Sequence, residues 1–127
     1  MKKIFLAIAF LASFCLAAEL KIEEDPAKAL EIGKQQNKKV IMFIHTKYCP
    51  WCNKMKKETL KDEKVINLIN EKFIFSSVDQ DKELLPANLN PKFVPMTYVI
   101  DTKMNKVVGV LPGFMKADIF MEEISKY

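Results

Sequence analysis

Arginine is missing from this chain altogether: the 20 basic residues are all lysine, set against 16 acidic ones for a net charge of +4. The lysines are spread through the chain and interleaved with Asp and Glu. A nucleic-acid binder shows instead a clustered basic stripe that includes Arg. Histidine occurs once and cysteine three times, too few for a four-ligand metal site once a cleaved leader is set aside. Three Gly and six Pro in 127 residues exclude a collagen-like or Gly/Ser linker chain. Beyond residue 20 no apolar run reaches the roughly 18 residues of a membrane span. What is present is the balance of a globular domain: 50% hydrophobic and 28% charged residues. The length fits one domain, and no repeat, low-complexity tract or linker divides it.

The first residues read as an address. Lys2 and Lys3 form a positive start, Ile4 to Leu16 is apolar apart from Ser13, and Ala17 and Ala18 are small residues before the polar Glu19-Leu20-Lys21. This is the layout of a secretory signal peptide, here residues 1–18, with residues 19–127 as the mature domain. The alternative is an uncleaved N-terminal anchor. Cleavage after Ala18 removes Lys2 and Lys3, leaving 18 Lys against 16 acidic residues and a net charge of +2. It also removes Cys15, so Cys49 and Cys52 enter an oxidising compartment as a pair with no leftover thiol.

Along the mature chain, Ile22 to Gln36 reads as a helix with Asp25 as N-cap and Pro26 in its first turn. Ala27, Ala29, Leu30 and Ile32 supply its apolar face. Val40 to Ile44 is a short apolar run rich in β-branched residues, the mark of a strand buried on both faces. His45 to Tyr48 is the loop after it, and Cys49 to about Leu60 a helix carrying Pro50 in its first turn. Asp62 caps a further helix with Val65, Ile66, Leu68 and Ile69 inside. Phe73 to Val78 is a strand, Asp79 to Pro91 a loop, and Thr97 to Ile100 and Lys106 to Val110 a hairpin. Lys116 to the end is an amphipathic helix with Ile119, Phe120 and Ile124 inward. This order predicts an α/β fold, a mixed central sheet of about four strands with helices on both faces.

The chemistry sits in Cys49-Pro50-Trp51-Cys52, where a buried strand gives way to a helix. Residues three apart share a helix face and come close enough for a disulfide. Such a bond closes a very small loop and staples little of the fold, which suits redox work better than a structural role. At the helix N-terminus Cys49 is exposed to unpaired N–H groups that favour a thiolate, so its pKa is expected below the free value of ~8.5. Cys52, one turn in, is expected to be the more protected thiol. Cys49 then attacks a partner disulfide and Cys52 resolves the mixed disulfide. A structural disulfide is the competing reading; covalent haem attachment falls away because Asn53, not His, follows Cys52.

The strand, Tyr48-Cys49-Pro50-Trp51-Cys52, the helix, and the later Phe93-Val94-Pro95-Met96-Thr97 opening a strand resemble the thioredoxin superfamily. The tail Gly113-Phe114-Met115 before a final helix resembles the C-terminal domain of DsbD and the secreted thioredoxin-related proteins of the SoxW type. The resemblance implies a thioredoxin-like fold with Cys49 as nucleophile and Cys52 as resolving thiol. It puts Pro95 at the family's cis-proline and the Val94 backbone beside an extended substrate segment. Trp51 offers an apolar contact to partners. Phe43 departs from the pattern, standing where thioredoxins bury an Asp, and the Lys that pairs with that Asp is replaced by Phe75-Ser76. His45, two residues on, shares the face of Phe43 if the strand extends that far. It is the candidate proton relay to Cys52, against a plain packing role. The Lys54 to Lys57 stretch reads most simply as a solvated face.

The resulting expectation is a periplasmic protein disulfide reductase that needs no cofactor or metal, acts as a monomer, and passes electrons to exported proteins with disulfides or thiols. A membrane-borne thiol donor such as a DsbD-like protein recharges it. The competing functions are a disulfide oxidase or isomerase, and a non-enzymatic binding module.

Overall fold

The computed structural model describes residues 18–127; the apolar leader reading falls almost wholly outside them. The chain runs β1 (Ile22–Glu23), α1 (Pro26–Gln36), β2 (Lys39–His45), α2 (Pro50–Lys57), a 3₁₀ turn (Thr59–Lys61) and α3 (Glu63–Lys72). It continues through β3 (Phe73–Asp79), β4 (Met96–Asp101), β5 (Lys106–Pro112) and α4 (Ala117–Ile124). The five strands lie in the order β1-β3-β2-β4-β5. β1 and β2 run parallel to β3, while β4 is antiparallel to both β2 and β5. The mixed sheet thus has the four expected strands and one more.

That extra strand occupies residues read from sequence as the first turn of a helix. Asp25 Oδ1 accepts from the amides of Ala27 and Lys28, and Pro26 takes the first helical position. The residue before a proline is pushed towards extended backbone. The helix therefore starts at Pro26, and Ile22 pairs with Phe75 instead. Ala27 faces solvent, and the buried residues of α1 are Pro26, Ala29 and Gly33. The remaining starts follow the capping expected: Asp62 Oδ1 accepts from the amides of Lys64 and Val65 at the head of α3. In α4, Phe120 and Ile124 are buried but Ile119 is 48% exposed. The expected inward stripe is one residue narrower, and α4 lies against α3 and the 3₁₀ turn.

Period-two alternation on β2 splits the core in two. Ile41 and Phe43 join Cys52, Met55, Val65, Phe75, Phe120 and Ile124 beneath α2, α3 and α4. Val40, Met42 and Ile44 join Ala29, Val78, Tyr98 and Ile100 beneath α1. β2 is therefore buried on both faces, as its unbroken apolar run requires. No helix among the described residues is long and apolar enough to cross a membrane.

Candidate active site

β2, paired on both sides, delivers the chain to the site at its C-terminal end. Cys49 is the N-cap of α2 in extended backbone, with Pro50 at the first helical position. Cys49 and Cys52 are joined by a disulfide with their Cα atoms 5.2 Å apart. The Cys52 amide lies 3.1 Å from Cys49 Sγ. One of the orphan donors of the helix start thus points at the outer sulfur. Cys49 is half-buried, whereas Cys52 is 0% exposed and sits in the core cluster with Phe43 and Phe75. The two sulfurs differ in both access and electrostatics.

Three further expected residues gather on the same surface. The Val94–Pro95 peptide is cis, and the Val94 carbonyl oxygen lies 3.8 Å from Cys49 Sγ. Pro95 is buried, its carbonyl accepting from the Gly113 amide at 2.9 Å. That bond ties the Val94-Pro95 loop to the end of β5. Trp51 is 57% exposed and tilts against Phe114 with ring centroids 5.7 Å apart. Lys54 Nζ stands over both rings, at 5.3 and 4.9 Å, so this lysine caps an aromatic pair rather than floating in solvent. Tyr48 is 87% exposed, under the Lys47 ammonium.

On the inner side β2 does extend to His45, whose ring stacks on Phe43 at 5.7 Å. The two side chains therefore share a face, the one that holds Cys52. The partner of His45 is not a cysteine but Lys56, with Nζ 3.0 Å from Nδ1. Burial first, and the Lys56 ammonium second, push the imidazole down to about 4, against the opposing pull of Asp79. The ring is thus neutral near pH 7. A lysine ammonium can only donate, so Nδ1 accepts and the ring proton lies on Nε2. Burial lowers Lys56 as well, again opposed by Asp79. His45 and Asp79 are register partners across β2 and β3. Both, with Lys56, line a cavity of about 580 Å³ that Lys82, Leu60 and Ile22 also wall.

Sequence reasoning passed over Lys56 as part of a solvated face. A signal was there: Lys56 follows Cys52 by four residues, one helical turn along the same face. The position of the family's buried carboxylate is filled by Phe43, 0% exposed. Its register partner Thr97 has a buried hydroxyl without a hydrogen-bond partner among the described residues. The core under Cys52 offers a neutral hydroxyl there and no carboxylate. No cluster of three or more His, Cys, Asp or Glu fit to hold a metal occurs among the described residues.

A family model described as a thioredoxin-like domain matches residues 26–127. The chain belongs to the thioredoxin-like family. The thioredoxin of Thermus thermophilus superposes with a TM-score of 0.70 at 22% identity, over 84% of this chain and 85% of that one. The oxidised C-terminal domain of DsbD from Neisseria meningitidis gives 0.60 at 22% identity, over 79% and 90%. A stretch of 55 residues, 43% of the chain, is 29% identical to spermatogenesis-associated protein 20 of Rattus norvegicus. That stretch spans only 7% of the rat protein. A thioredoxin-like fold carrying a Cys-x-x-Cys disulfide at a helix start is the framework of thiol–disulfide oxidoreductase chemistry in general.

Proposed function

We propose that this protein is a periplasmic thiol–disulfide oxidoreductase that reduces disulfides in exported proteins. The observation that carries the reading is the asymmetry of the pair: Cys49 half-buried and facing the Cys52 amide, Cys52 sealed in the core. In the reduced protein Cys49 ionises first and its thiolate attacks a partner disulfide. A Cys49–partner bond forms and the partner's other sulfur leaves. Cys52 then loses its proton and attacks Cys49 Sγ, closing the Cys49–Cys52 bond and expelling the second partner sulfur. Two electrons pass from the dithiol to the partner.

Substrate docks as an extended segment along the Val94 backbone next to Pro95, with Trp51 as an apolar contact at the rim. His45, on the sheet face that holds Cys52, serves the resolving thiol through its hold on Lys56. Residues 1–18 direct export and are removed, leaving 19–127 as a monomeric domain. A membrane-borne thiol donor returns the pair to the dithiol. The likeness to a DsbD domain and the paired, otherwise unaccompanied cysteines of the mature chain support this placement.

Insulin reduction driven by dithiothreitol tests the activity. The wild type accelerates precipitation of the insulin B chain; Cys49→Ser abolishes it, and Cys52→Ser stalls as a trapped mixed disulfide. A glutathione or dithiothreitol titration of the pair tests direction. A potential near ~ −270 mV fits a reductant, and one near ~ −120 mV overturns that direction in favour of an oxidase.

A further inference from the structure

Cys52 poses a problem that the thioredoxin pattern solves with a carboxylate and this chain does not. Its thiol must ionise inside a core where its exposure is 0%, and burial disfavours a thiolate. Phe43 and Phe75, stacked at 6.5 Å, fill the neighbouring core with hydrocarbon. Two ionic groups are delivered to this face: Asp79, beside His45 on the neighbouring strand, and Lys56, on the same helix as Cys52 and one turn after it.

Lys56 is held, not free. Its ammonium meets His45 Nδ1 at 3.0 Å, and His45 is fixed in turn by its stack on Phe43 and by its place on the central strand. We propose that Lys56, pinned by His45, is the positioning cation that stabilises the Cys52 thiolate, taking the place of the missing carboxylate with the opposite sign. This inference rests on the oxidoreductase reading and deepens it. His45 then acts through Lys56. A neutral imidazole with so low a pKa is a poor acceptor for a thiol proton, but a good anchor for an ammonium.

The remaining charges at the cavity are Asp79 on β3, Lys82 and Glu83 after it, Lys61 on the 3₁₀ turn, and Glu19 and Glu24 on the leading segment. Asp79, facing His45 across the sheet, opposes the lysines and keeps Lys56 protonated. During resolution the Cys52 proton passes to solvent water as the core opens to the partner. The Cys52 sulfur then bonds Cys49, and the expelled partner thiolate takes up a proton from solvent. Lys56 keeps its own proton throughout.

The test follows the Cys52 ¹³Cβ shift against pH in the whole protein, cysteine-labelled and reduced with dithiothreitol. Lys56→Met, which keeps the aliphatic stem, moves the Cys52 titration up by about one pH unit, roughly tenfold less thiolate at a given pH below it. Lys56→Arg restores it, and His45→Phe shifts it the same way by less. Lys57→Met, the exposed neighbour, leaves it in place. An unmoved Cys52 titration in Lys56→Met, or an equal shift in Lys57→Met, overturns the inference. Insulin reduction by the wild type separates the two readings. Activity with an unmoved titration sinks only the role of Lys56, and inactivity with a moved one sinks only the redox function.

Discussion

His45 carries a pH signature that stability measurements can read. Its folded value is about 4 against 6.5 when free, so between those limits the unfolded chain binds more protons than the folded one. Stability is therefore full above about pH 6.5 and declines as pH falls towards about 4, where this contribution levels off. Thermal unfolding followed from pH 7.5 down to pH 4 should show a Tm lower by a few degrees at the acid end from this group. His45→Phe should flatten that part of the slope while keeping the stack on Phe43. An unchanged slope in the variant would mean that the imidazole titrates alike in the folded and unfolded chain and the Lys56 contact is not made. The cysteines themselves were legible from spacing alone, because a two-residue gap at a strand–helix junction fixes both proximity and the difference in access. Lys56 was legible only in part: its four-residue spacing from Cys52 marks the shared helix face, and tertiary packing decides that this lysine reaches His45.

At the scale of elements, α1 holds a glycine where helix propensity alone favours alanine. A Cβ on Gly33 would lie 2.8 Å from both the Lys38 carbonyl oxygen and Thr102 Cγ2, and 2.9 Å from Val40 Cγ2. In an open helix Gly→Ala gains about 1 kcal/mol. Here Gly33→Ala should lose about 1–3 kcal/mol, because one of the colliding atoms belongs to the backbone and cannot turn aside. Urea unfolding reads the sign directly. The same locality explains what was readable in the sequence. The cap at Asp62, the Asp25-Pro26 start and the apolar run of β2 are short-range signals; α3 and β2 stand where expected, while α1 begins at Pro26 rather than at Ile22. β1 is different: two residues become a strand only because Phe75 and Ser76 lie beside them, a partnership with no local trace. Ile119 failed for a related reason. A helical stripe gives the buried face to within a residue, and the packing against neighbouring elements, here α3 and the 3₁₀ turn, decides its edge.

For the molecule as a whole, the sheet has unequal margins. β1 brings two residues to one side and β5 seven to the other, while β2 has β3 and β4 as neighbours along its length. Opening free energy rises from such margins towards the centre. Amide hydrogen exchange should thus be slowest in Ile41 to Ile44 and faster in β1 and β5. Comparable rates across the sheet would show that it opens as one unit. The placement of Cys49 directly after β2 also has a mechanical meaning. While a partner is tethered through a mixed disulfide, any tug from its folding or diffusion is carried along the main chain into the strand that lets go last. The tether is thus fastened to the keel of the sheet, and a restless client can fray the rims without dislodging the sulfur that holds it.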